Sequence, residues 1–261
     1  MADSAEERGG GEAVRGVPRP FSLLETLAYG VALLAVSSYL SWLASTFLTT
    51  LLTNTRAGAG WTEAEALASA NSPMEHGVWF AAAMIPWAVL GFTFLAALLY
   101  LRGLTPRECF GTRPVSLRTV GIHVFLVLAF QIAVRSATYG VVGPFVDSTL
   151  TRLYRTAGSP ILLGSALIVA APLFEEVFWR GFIFSGIARS RLGPWTAIPA
   201  VSALWALSHW HLGVLGLLSV FGLGLYLGLV RHKTGSVVLC VVLHAVWNAA
   251  GFAHTAFMCR T

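Results

Sequence analysis

The sequence predicts an all-α, polytopic membrane helix bundle of about seven transmembrane helices, within a range of six to eight. Only 11% of its 261 residues are charged and 56% are hydrophobic, whereas soluble domains carry about 25% charged residues. The mean hydropathy is +0.72, and apolar runs approaching or exceeding the roughly 20 residues of a bilayer crossing recur along the chain. We therefore expect an integral, multi-pass membrane protein with membrane lipids as partners.

Charge placement gives the expected topology. The net charge of +5 comes mainly from arginines in short loops between apolar runs, which is typical of cytoplasmic loops and not of a nucleic-acid interface. No nucleic-acid partner is predicted. Residues 1–20 should form a disordered cytoplasmic tail, since they lack apolar periodicity. The seven spans are expected at about residues 21–52, 78–101, 119–142, 161–188, 195–210, 214–230 and 236–257, which places the C-terminus outside.

Several residues outside the fourth span are expected to have structural roles, or roles that the sequence leaves open. Glu25, at the entrance of the first span, is expected to be solvated. The Thr62-x-x-Glu65 pattern resembles a helix-capping box. Arg135 has three open roles: reaching the surface, pairing with a buried carboxylate, or contacting substrate. Gly224-x-x-x-Gly228 predicts close packing against another helix. Three cysteines without CxxC spacing support neither a disulfide framework nor a thiolate metal site.

The fourth span contains the charged motif around which the chain is organised. Glu175, Glu176 and Arg180 lie within six positions of an otherwise apolar run, although one ionisable group at the bilayer centre costs about 2.5–3.5 kcal/mol or more. Glu176 and Arg180 are four residues apart and should form an ion pair on one helix face. Glu175 points about 100° away, so it is predicted to be free for chemistry. A purely structural ion pair is the alternative.

Polar residues of two later spans are expected to meet these carboxylates. His209 lies on the fifth span, and His244 and Asn248 lie four residues apart on the seventh. At 1.5 Å per residue, Glu175, His209, His244 and Asn248 lie roughly 18, 22, 12 and 18 Å deep. One buried pocket is therefore predicted to collect two histidines, a carboxamide and a carboxylate.

That set of residues suits amide hydrolysis in two ways. A buried carboxylate can activate water beside a histidine, while His and Asn donors stabilise the oxyanion. The same Glu175, His209 and His244 could instead hold zinc with a bound water, since two histidines and a carboxylate form a known catalytic site. The residues alone leave both mechanisms open.

The three motifs, in this order, resemble the CAAX protease and bacteriocin-processing (CPBP, or Abi) family of intramembrane endopeptidases. They are Glu175-Glu176-x-x-x-Arg180, Trp205-x-x-x-His209 and His244-x-x-x-Asn248. The resemblance covers about residues 160–252. The one departure is Trp205, where the family usually has Phe.

The resemblance implies a helix bundle whose internal polar cavity cleaves peptide bonds. Glu175 would activate water with His209 beside it, His244 and Asn248 would form the oxyanion site, and Glu176 and Arg180 would support them. It divides the chain into a tail (1–20), N-terminal spans and loops (21–159) and a catalytic membrane domain (160–257).

Several properties remain open. Zinc is a possible cofactor, and a metal-free glutamate mechanism is equally compatible with the family. The expected substrate is a membrane-associated peptide or protein, processed in the CAAX, bacteriocin or C-terminal sorting manner. An arginine-rich composition with almost no lysine suggests a bacterial cytoplasmic membrane. The alternatives are a non-enzymatic scaffold or immunity factor and an ion-coupled transporter.

Overall fold

The computed structural model describes residues 20–53, 76–142 and 148–260. Residues 1–19 of the predicted tail (1–20) and the Thr62 capping box lie outside the described residues. The described chain is helical and contains nine helices: α1 Leu23–Thr53, α2 Gly77–Arg102, α3 Pro106–Phe110, α4 Leu117–Val142, α5 Ser148–Arg155, α6 Pro160–Arg189, α7 Gly193–Ser208, α8 Gly213–Thr234 and α9 Val237–Met258.

Within these residues, six helical segments are long and apolar enough to cross a membrane. This number confirms the predicted all-α polytopic bundle of six to eight helices. The predicted fifth span is the exception, because α7 has 16 residues and reaches only about 24 Å, less than the roughly 30 Å hydrocarbon core. The extracellular C-terminus, which was predicted from an odd number of spans, stays a prediction.

Glu25 is partly exposed, with 36% of its side chain accessible, as expected for a solvated carboxylate at the start of α1. It also forms an ion pair with Arg102 at the end of α2, and its Oε2 accepts the Ser22 backbone N–H at 2.9 Å. The structure adds this partner because the start of α1 lies beside the end of α2. Next along the chain, Thr105 and Glu108 form a capping box at α3, and the hydrogen bonds from Thr105 lower the pKa of Glu108.

Helix α6 lies at the centre of the bundle. Half of its most apolar window is buried, against 11–33% in the other five candidate spans. Phe174, Phe178 and Phe182 form a buried stripe on one face, and Trp87 of α2 packs edge-on against Phe174 with ring centroids 4.4 Å apart. The stripe fixes the rotation of α6 and leaves its carboxylates on other faces.

Two π-helical stretches interrupt α6, at Ala166–Ala170 and Val177–Ile183. Such stretches are frequent at functional sites. Each ends with an N–H bonded five residues back, Ala171 to Ala166 and Phe184 to Trp179. Where a π turn returns to α geometry, one carbonyl is left without a backbone donor. The carbonyls left over here are those of Leu167 and Arg180.

Side chains of neighbouring helices satisfy both carbonyls. The Asn248 Nδ2 of α9 donates to Leu167 O at 2.8 Å, and the Arg231 Nε of α8 donates to Arg180 O at 3.0 Å. Pro172 contributes to the missing backbone donor at Leu167 O, because proline has no backbone N–H. The irregular backbone of α6 is thus tied to α8 and α9 by specific polar contacts.

Helices α7 and α8 pack closely, as the glycine pattern predicts. A Cβ on Gly224 would lie 2.9 Å from the Ser202 Cβ, and one on Gly228 would lie 3.2 Å from the Ile198 side chain. The small residues therefore set the distance between α8 and α7, the helix that leads to His209.

Candidate active site

The predicted ion pair of α6 is present and fully buried. Arg180 Nη1 donates to Glu176 Oε1 at 2.8 Å, and the two side chains are 1% and 0% exposed. The same oxygen accepts His244 Nδ1 of α9 at 2.9 Å. Because a carboxylate only accepts here, Nδ1 of His244 carries the proton. Glu176 therefore binds two donors and fixes the orientation of the His244 ring.

Glu175 has different partners, all from α7. Its Oε2 accepts the Trp205 Nε1–H at 2.6 Å and lies 4.0 Å from His209 Nε2. The residue is 7% exposed and borders the cavity described below. A separation of 4.0 Å is too long for a direct hydrogen bond, but it matches the span of one bridging water.

His209 is held in a single tautomer by the end of α7. Its Nδ1 lies 2.9 Å from the Trp205 carbonyl, and a carbonyl oxygen only accepts. The Ser208 hydroxyl donates to the same carbonyl, so it can accept from Nδ1 at 3.2 Å. In the neutral ring Nδ1 therefore carries the proton, and the Nε2 lone pair faces Glu175.

Asn248 lies one turn after His244 on α9. Its Nδ2 is anchored on Leu167 O, which uses one of the two N–H groups of the carboxamide. The second N–H is not needed for that anchor. The contact joins α9 to α6 and holds the amide of Asn248 in a fixed orientation.

All four predicted catalytic residues border one cavity of about 720 Å³. Glu175, His209, His244 and Asn248 form part of its wall. The wall also includes apolar side chains of α1, α2 and α5, namely Leu34, Phe80, Met84, Trp87 and Leu153. The lining of the cavity therefore contains both the polar motif residues and an apolar set.

Arg135 also borders this cavity. It is half-buried on α4, and its Nη2 would lie 3.7 Å from a Cβ on Gly251 of α9. Its three predicted roles stay predictions, and its place at the cavity is compatible with contact to a substrate. His211 also borders the cavity, with its ring centroid 6.0 Å from that of His209.

The proposed zinc ligands do not form a metal-binding group in the described part of the chain. No three His, Cys, Asp or Glu side chains there are arranged to hold a metal ion. His244 Nδ1 is bonded to Glu176, and Glu175 Oε2 is bonded to Trp205, so any metal would have to bind through other atoms of these side chains, such as His244 Nε2. Zinc binding by Glu175, His209 and His244 stays a prediction.

Trp205 is the site residue whose role the sequence reasoning missed. Its side chain is 1% exposed, and the Arg180 guanidinium lies 4.1 Å above its ring. Both histidine rings pack edge-on against it, His209 at 5.4 Å and His244 at 5.1 Å between centroids. The available signal was the exchange of Phe for Trp, which adds one N–H donor to a buried site.

Comparison with known proteins found a matching family model. Residues 157–250 match the model described as type II CAAX prenyl endopeptidase Rce1-like. This segment is therefore similar to that family. It includes every motif residue, from Glu175 to Asn248, so the resemblance to the CAAX protease family is confirmed over these residues. No curated protein and no solved structure matches the chain.

Proposed function

We propose that this protein is an intramembrane endopeptidase that hydrolyses a peptide bond by a metal-free mechanism, with Glu175 as the water-activating base. The observation that carries the proposal is the 4.0 Å gap between Glu175 Oε2 and His209 Nε2 at the cavity wall. A water in that gap would face two proton acceptors. It would also lie inside a cavity large enough for a peptide segment.

In the proposed reaction, Glu175 takes a proton from this water as the oxygen attacks the scissile carbonyl. His209 orients the water through its Nε2 lone pair. The developing oxyanion accepts hydrogen bonds from the second Asn248 N–H and from His244 Nε2–H. The proton held by Glu175 then passes to the leaving amine as the C–N bond breaks.

The role of His244 requires the imidazolium form, because Nδ1 already donates to Glu176. The Glu176 carboxylate, which accepts from Nδ1, provides the opposite charge next to that ring, and Arg180 pairs with the same carboxylate. With His244 protonated, two carboxylates, one guanidinium and one imidazolium sum to zero net charge. This balance reduces the cost of keeping the four groups out of water.

The proposed substrate is a peptide or protein with a membrane-associated segment. The apolar wall formed by α1, α2 and α5 suits the apolar part of such a substrate, while the scissile bond faces α6, α7 and α9. We infer processing of the CAAX, bacteriocin or C-terminal sorting kind, in a bacterial cytoplasmic membrane.

The test is cleavage of a fluorogenic peptide library by the purified protein in detergent. We expect cleavage by the wild type, a loss of about 10²- to 10⁴-fold in Glu175→Gln, and full activity after chelation. Glu108→Gln is the matched control, since this carboxylate lies at α3 and does not border the cavity. Loss of activity on chelation, with recovery on added zinc, would contradict the metal-free mechanism.

A second comparison tests enzymatic function itself. If a folded wild type cleaves no peptide in the library, and Glu175→Gln leaves the cellular phenotype intact, the protein acts by binding and the endopeptidase proposal is wrong. Ion-dependent flux in liposomes that is lost in Glu175→Gln would instead indicate a transporter.

A further inference from the structure

Trp205 contacts both Glu175 and His209, the two residues proposed to face the attacking water, through different atoms. Its indole N–H donates to Glu175 Oε2 at 2.6 Å. Its backbone carbonyl accepts His209 Nδ1 at 2.9 Å. One residue therefore sets the orientation of the carboxylate and the tautomer of the histidine that faces it.

The indole N–H is a rigid donor. The ring is 1% exposed and lies between the Arg180 guanidinium on its face and two histidine rings packed edge-on. It cannot turn the N–H away from Glu175 without displacing these groups. A phenylalanine would keep the packing and supply no donor.

We propose that Trp205 is a positioning residue for hydrolysis, acting through Glu175; this inference rests on the proposed function. The N–H occupies one lone pair of Oε2 and fixes the rotation of the carboxylate. The other lone pair of the same oxygen remains directed to the water between Glu175 and His209. The hydrogen bond also stabilises the ionised carboxylate, which is the form that accepts the proton.

The first experiment separates the N–H from the shape of the ring. Trp205 is replaced by Phe and, by genetic-code expansion, by 3-benzothienylalanine, which keeps the bicyclic shape and has sulfur in place of N–H. We expect kcat to fall about 10- to 100-fold in both, the range for a lost hydrogen bond to a charged group, with KM changed less than about twofold. Trp195→Phe is the control, because Trp195 lies at the exposed start of α7, whereas Trp247, like Trp205, borders the cavity.

The benzothienyl protein decides the outcome even if Trp205→Phe folds poorly. A wild-type kcat in that protein would overturn the proposal, since the only change is the missing donor. A rise in KM with unchanged kcat would also overturn it, because that pattern indicates substrate binding in place of carboxylate orientation.

A second measurement does not depend on activity. In protein with ¹⁵N-labelled tryptophan, the Trp205 indole resonance is assigned by its loss in Trp205→Phe. We expect it to move upfield in Glu175→Gln, because a neutral acceptor polarises the N–H less, while the Trp247 resonance stays in place. An unmoved Trp205 resonance would overturn the proposal. Failure of the proposed function is recognised separately, as a folded wild type that cleaves no peptide.

Discussion

Glu175 and Glu176 are adjacent in the chain and have opposite environments. Glu176 is 0% exposed and accepts two hydrogen bonds, one from the Arg180 guanidinium at 2.8 Å and one from the His244 ring at 2.9 Å. Glu175 accepts one indole N–H and faces a cavity. The difference follows from the rotation of about 100° per residue in a helix, which directs one carboxylate into the bundle and the other to the cavity. Burial with two donors assigns Glu176 to the ion pair, and the place of Glu175 beside a cavity is the basis for proposing it as the base.

The largest expected effect is on stability, from removing the charge of Glu176. Glu176→Gln leaves Arg180 as a buried cation without its counter-ion, and we expect the free energy of unfolding to fall by about 3–5 kcal/mol. Glu175→Gln keeps an acceptor for the Trp205 N–H and should cost about 1 kcal/mol or less. Unfolding in SDS-titrated mixed micelles measures both. Equal losses in the two variants would contradict the division of roles.

A smaller effect on stability is expected at Leu167 O, the carbonyl that has no backbone donor after the first π-helical stretch. Asn248→Ala removes the donor to Leu167 O, and a buried unsatisfied carbonyl costs about 1–3 kcal/mol. Adding Pro172→Ala restores a backbone N–H next to that carbonyl. We therefore expect the double variant to regain part of the stability, measured in the same micelles.

Activity should not return with that stability. The proposed oxyanion donor of Asn248 is still missing in the double variant, so peptide cleavage is expected to stay at the level of Asn248→Ala. Recovery of both properties together would show that Asn248 acts only by joining α9 to α6.

The smallest effect is expected from Ser208→Ala. The hydroxyl shares the Trp205 carbonyl with His209 and lies 3.2 Å from Nδ1, but the stronger 2.9 Å contact from Nδ1 to that carbonyl remains. We expect kcat/KM to change less than about threefold, since a weak neutral hydrogen bond contributes little. A tenfold loss would indicate that Ser208, and not the Trp205 carbonyl, sets the tautomer of His209.

The sequence by itself determined the membrane class, most span positions and the motif residues. Apolar runs are visible because a bilayer imposes a minimum length, and charges within them stand out because they are costly there. The Glu176–Arg180 pair is a local i, i+4 contact, so helical geometry alone predicts it. The predicted fifth span is not among the six candidate spans, because α7 has span-like composition without span length.

Only the tertiary structure decided which carboxylate meets which partner. The bonds from His244 to Glu176, Trp205 to Glu175 and Asn248 to Leu167 each join residues at least 30 positions apart. Such pairings depend on how α6, α7 and α9 rotate and approach one another. The π stretches add to this, because they shift the register of α6 and free a carbonyl that no periodicity in the sequence reveals. The sequence identifies the candidate residues, and helix packing assigns one carboxylate to the ion pair and the other to the cavity.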